Sequence, residues 1–181
     1  MNYDIITIAP TVSDNAHATG DVMFNLTEVD LPKGGCKLIN AFMEVANGGG
    51  EDSTKIGLLF FKKATAALGT LNETANISAA NFTANEYIGS TFLNLASSPD
   101  HDLDVIDTTA LYYGYDGLSN VAAARGGSPP CQLILAPSSK DFTSKSPSVR
   151  GSKVYIAGVI HAGAPNFDGT DNVKIHLHVE Y

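Results

Sequence analysis

His176, Leu177, His178, Val179 and Glu180 place three metal-capable side chains within five positions of this 181-residue sequence. Side chains of an extended strand alternate between its faces. Lys174, His176, His178 and Glu180 therefore share one face, and Val173, Ile175, Leu177, Val179 and Tyr181 share the other. Two imidazoles and a carboxylate on one face are a ligand set for a divalent metal, and His161 on the expected hairpin partner would add another. Lys174 on the same face opposes a bound cation, and a solvated or subunit-facing polar strand has the same pattern. The expectation is no metal and no cofactor, with His161, His176, His178 and Glu180 as the candidate ligands.

A second cluster, Asp100, Asp102, Asp104 and Asp107, alternates acids as a calcium loop does. An EF-hand needs glycine at its sixth position and glutamate at its twelfth; Val105 and Leu111 stand there instead. The segment Asn166-Phe-Asp-Gly-Thr-Asp171 is a looser oxygen cluster, and an acidic surface turn describes both. Other chemistry is missing. No Gly-Lys dipeptide supports a phosphate loop, no GxSxG or SxxK places an activated serine, and no HExxH holds zinc. Cys36 and Cys131 lie far apart without metal spacing, and read as buried reduced thiols. No catalytic residue is assigned, and the expectation is not an enzyme.

The elements that would position these groups are strands. Asp4 to Ala9 alternates until Pro10, and Val22, Phe24 and Leu26 form one apolar face until Pro32. Lys37 to Ala46 is apolar on both parities, as a strand covered on both faces would be. A glycine-rich stretch, Asn47 to Thr54, then leads to Lys55–Lys62, which predicts a hairpin with a long mobile tip. Further strands are expected over Leu103–Tyr113, Cys131–Ala136, Lys153–His161 and Val173–Tyr181, about eight in all. Two short connecting helices are expected, Ser78–Tyr87 with Ser78 as N-cap and Ser119–Arg125 ending at Gly126. A single domain over residues 1–181 follows, an all-β antiparallel β-sandwich whose long connections favour a jelly roll.

Composition narrows the partners. Eleven basic against 19 acidic residues leave a net charge of −8, the wrong sign for a nucleic-acid surface. Charged residues are only 17%, against roughly 25% in ordinary soluble domains, and there is no tryptophan to stack on a sugar. No apolar run reaches the ~20 residues that span a bilayer, and the first residues lack a basic n-region, so synthesis in a cytoplasm without a signal peptide is expected. Four cations, Lys140, Lys145, Arg150 and Lys153, fall in one expected surface loop, Ser138 to Lys153, apart from Asp100, Asp102 and Asp104. Two such patches suit self-association or partner docking, and so do the loop Asn47–Thr54 and the two terminal segments, read as edge strands that pair across subunits.

The segments Ile5-Ile-Thr-Ile-Ala-Pro10, Leu103-Asp-Val-Ile-Asp-Thr-Thr-Ala-Leu-Tyr-Tyr113 and Lys153-Val-Tyr-Ile-Ala-Gly-Val-Ile-His161 belong to a lysine-poor texture rich in Ala, Thr, Ser, Gly and Asn. In this texture the chain resembles virion structural proteins of tailed bacteriophages, and among them capsid decoration (cement) proteins. The resemblance carries no diagnostic motif. It implies a small β-rich homo-oligomer, often a trimer, that binds the major capsid protein on the outer lattice of a virion. A tail, fibre or carbohydrate-binding module on the same scaffold is the alternative reading. The His176–His178 pair is also similar to that of cupins, whose motif continues to a glutamate and a glycine that this sequence does not supply.

Overall fold

A computed structural model of the chain describes residues 2–32, 35–46, 54–94, 109–115, 134–135 and 153–181. Among these residues the elements are β1 (Tyr3–Ile8), β2 (Val22–Asp30), β3 (Cys36–Ala46), β4 (Lys55–Phe61), α1 (Ala79–Ala84), β5 (Tyr87–Asn94), β6 (Thr109–Tyr115), β7 (Ile134–Leu135), β8 (Lys153–Ala162) and β9 (Val173–Glu180). All strand pairings are antiparallel. One sheet runs β1-β9-β3-β6, with β7 beside the start of β3; the other runs β2-β8-β4-β5. They join at one margin, where β6 pairs with β3 and also meets β5 at Phe92↔Tyr115 and Leu93↔Gly114. The architecture is the expected all-β sandwich.

Alternation fills the space between the sheets. Val173, Ile175, Leu177 and Val179 of β9 are buried there with Leu38, Ala41, Met43 and Val45 of β3. From the second sheet come Phe24, Ile56, Leu58, Phe60, Val154, Ile156 and Ile160. Each fully buried Leu, Ile or Phe side chain contributes about 1.5–3 kcal/mol relative to exposure, so this shared core outweighs any surface pair. Gly158 of β8 faces Phe24 of β2, and a Cβ there would stand 2.3 Å from the ring. The absent side chain is the space that the Phe24 ring occupies.

The second sheet is also covered on its outer side. Phe61, Leu68 and Ala157 form a smaller cluster with Leu26, Leu59, Phe82 and Tyr155. Helix α1 supplies Phe82, which stacks on Tyr87 at 4.6 Å and meets Phe61 edge-on at 5.5 Å. The buried Asn85 carboxamide holds the covering segment in place, accepting the Thr65 and Ala66 amides at 2.8 Å and donating to the Ala66 carbonyl. Ser78 caps α1 as expected, its hydroxyl accepting the Asn81 amide.

The order corrects several expectations. β3 and β4 are not a hairpin: they lie in different sheets, and β4 pairs with β5 and β8. β3 is not covered on both faces. Its pairing with β9 shifts between Leu38 and Asn40, so Ile39 is an extra residue that switches the inward parity from Cys36 and Leu38 to Ala41, Met43 and Val45. β9 is not an edge strand, since β1 and β3 flank it, whereas β1 does lie at a margin. Tyr87 ends no helix; it opens β5, a strand that the sequence pattern did not suggest. Residues 47–53, 95–108, 116–133 and 136–152 lie outside the described residues, and with them the helix over 119–125 and most of the expected basic loop.

Two connections close one end of the sandwich. The segment 9–21 after β1 packs on the segment 163–172 between β8 and β9, through His17 N–H to Pro165 O at 2.9 Å and Val12 N–H to Thr170 O at 3.0 Å. Phe167, fully buried, anchors the second of them in the core.

Candidate functional site

The outer face of the first sheet is open among the described residues, and its register sets out the side chains in rows. Tyr3 pairs with Glu180, Glu180 with Lys37, and Lys37 with Ile134. Partners across antiparallel strands share a face, so two apolar side chains, each 68% exposed, flank the Lys37–Glu180 ion pair of 4.0 Å. The next row holds Ile5, 54% exposed, opposite His178, which faces Asn40 and the bulged Ile39. A third row joins Thr7, His176 and Phe42, and a fourth joins Lys174 and Glu44.

The polar half of this face is a connected network. His176 Nε2 lies 3.1 Å from Glu44 Oε2 and its Nδ1 3.0 Å from Thr7 Oγ1. An ionised carboxylate only accepts, so Nε2 donates to Glu44. Lys174 Nζ donates to the other Glu44 oxygen at 2.8 Å. Phe42 stacks on the His176 ring at 4.5 Å and meets His178 edge-on at 5.0 Å. The Lys174 hydrogen bond, helped by His176, holds the Glu44 carboxyl below its ordinary value against the opposing effect of burial. Burial, and then the charge of His176, push His178 down, and its Nε2 has no hydrogen-bond partner among the described residues.

The apolar half is a shallow groove lined by Tyr3, Asp4, Ile5, Ile39, His178 and Val179. β1 forms its rim. The Ile5 amide is bonded by the neighbouring Asp4 carboxylate at 2.8 Å, which blunts that point of the strand edge.

Of the sequence-derived candidates, His176, His178 and Glu180 do share the outer face of β9. His161 does not join them: it stands on β8 in the opposite sheet, edge-on to Phe92 at 5.1 Å, because β9 pairs with β1 and β3 and not with β8. Both ring nitrogens of His176 are engaged, and the Lys174 ammonium shares its carboxylate partner. Among the described residues no three His, Cys, Asp or Glu side chains converge as a metal site, the segment 166–171 included. Lys153 is held within the second sheet by Glu28 and lies 4.0 Å from Asp30. Lys140, Lys145, Arg150, Asp100, Asp102 and Asp104 lie outside the described residues.

Sequence reasoning missed Ile39, Phe42, Glu44 and Ile134. Ile39 was detectable as the point where the alternation of β3 changes parity. The others reach the site only through pairings between distant segments. No protein family matches the chain, and no curated protein matches it.

Proposed function

We propose that the protein is a non-enzymatic virion component, a capsid decoration protein that self-associates and binds the outer lattice of a capsid through the open face of its first sheet. The carrying observation is the asymmetry of the sandwich. Among the described residues the second sheet is covered by α1 and its flanking segment, whereas the first sheet exposes Tyr3 and Ile5 at a groove and Ile134 beyond Lys37. The three most exposed large apolar side chains among the described residues, Tyr3, Ile134 and Ile5, lie on this face with an ion pair between them, a composition that suits a protein-docking surface. The strand order β1-β9-β3-β6 facing β2-β8-β4-β5 supports a jelly roll, an architecture shared by viral capsid and lectin domains. Fold alone assigns no function, so the reading rests on the face.

Such a protein acts by mass action. It binds the assembled lattice in preference to free subunits, and so shifts the equilibrium toward the shell. Analytical ultracentrifugation should find a homo-oligomer, a trimer, at micromolar concentration, and Ile5→Lys should weaken it by about tenfold or more. A monomeric wild type, or an oligomer indifferent to Ile5→Lys and Ile134→Lys together, overturns the self-association. For the lattice, the protein should co-sediment with shells of the major capsid protein encoded beside its gene. Failure to co-sediment, or the lack of such a neighbour, overturns the decoration role.

A further inference from the structure

We propose that His17 is an acid-sensitive latch that fastens the segment following β1 to the segment between β8 and β9. His17 is only 2% exposed, and neither ring nitrogen has a hydrogen-bond partner among the described residues. Its ring and that of the fully buried Phe167 form a T-shaped pair with centroids 5.6 Å apart, and its backbone amide donates to the Pro165 carbonyl. A buried imidazole whose ring nitrogens have no hydrogen-bond partner tolerates the neutral state and resists the charged one, because a proton would place a poorly solvated cation in the interior. Solvation of the charged ring requires the latch to open.

The neighbouring charges oppose this effect and are outweighed by burial. On the same segment Asp14 is exposed, while Asp21 is 7% exposed and its carboxylate accepts the Ala18 amide at 2.7 Å. On the facing segment Asp168 and Asp171 are exposed, and so is His161 at the end of β8. Burial is the larger influence on His17 and holds it below its ordinary value of 6.5, although Asp21 and the Ser13 backbone pull the other way. The folded state thus binds its proton later than the open state. The latch is fully fastened above about pH 6.5 and loosens as pH falls from there through the folded value. This inference does not depend on the proposed capsid role.

Amide exchange of His17 and Val12, corrected for intrinsic rates, tests it. In the wild type the opening constant should rise by up to about tenfold per pH unit below about pH 6.5, while the β9 amides remain protected. In His17→Gln the same amides should open with no such dependence. A flat wild-type profile, or an equally steep one in the variant, overturns the latch. If His17→Gln does not fold, ring NMR of the wild type decides: titration below the ordinary histidine value supports the latch, and titration at or above it overturns it.

Discussion

Glu44 holds together the polar half of the outer face, since both Lys174 and His176 direct a proton donor at it. Its side chain is 23% exposed, so the network is screened less than an ordinary surface pair, and hydrogen bonds to charged groups retain part of their strength there. Glu44→Gln should therefore cost about 1 kcal/mol near neutral pH, read from the urea midpoint at unchanged slope. The sign of the pH dependence follows from the depressed carboxyl. The unfolded chain takes up its proton at the ordinary value of 4.5, before the folded protein does. The contribution is thus complete above about pH 4.5 and is lost as pH falls through the lower, folded value. The gap between variant and wild type should accordingly narrow between neutral pH and a pH below 4.5. An equal gap at both pH values would mean that Glu44 acts by packing and not by charge.

At the scale of elements, β2 and β8 depend on the fit of the Phe24 ring over Gly158. Any Cβ at 158 lies 2.3 Å from the ring, far inside contact distance, and the ring is fully buried, so the strands must separate or the ring must leave its rotamer. Gly158→Ala should cost about 1–3 kcal/mol, and the double variant Phe24→Leu/Gly158→Ala should recover part of that loss in a thermal melt. Additive losses would show that the contact is not the reason for the glycine. The same elements show which signals a sequence carries. β9 was legible to within one residue because one of its faces is wholly apolar and the other wholly polar. The bulge in β3 was written as apolar residues on both parities, which also describes a strand covered on both sides; β4 and β8, with the smaller cluster behind them, are the strands of that kind. β5 went unseen because Gly89 and Ser90 weaken its local pattern; the pairing with β4 and the burial of Thr91 and Leu93 make it a strand. The outer-face site was half legible. Its histidines lie on one strand, but Glu44, Phe42, Ile39 and Ile134 join them through long-range pairing, which no local spacing encodes.

At the scale of the whole molecule, the described parts of the two sheets share little backbone and much core. Among the described residues their hydrogen-bonded junction is the β5–β6 pairing at Phe92 and Leu93, whereas one apolar cluster draws side chains from β1, β3 and β9 on one side and from β2, β4, β5 and β8 on the other. Either sheet alone would expose its half of that cluster to water, at about 25 cal/mol for each Å² uncovered, and two short pairings cannot offset such a loss. The sandwich should therefore unfold as one unit. Histidine ring resonances are natural reporters, since His176 lies on the first sheet and His161 on the second, and the sequence has only five histidines. In a urea titration at neutral pH the native signals of both should vanish at the same midpoint and with the same slope. If His161 persists where His176 is lost, the second sheet, with α1 and its own outer cluster, is a separately stable unit, and the first sheet is an addition that can detach from it.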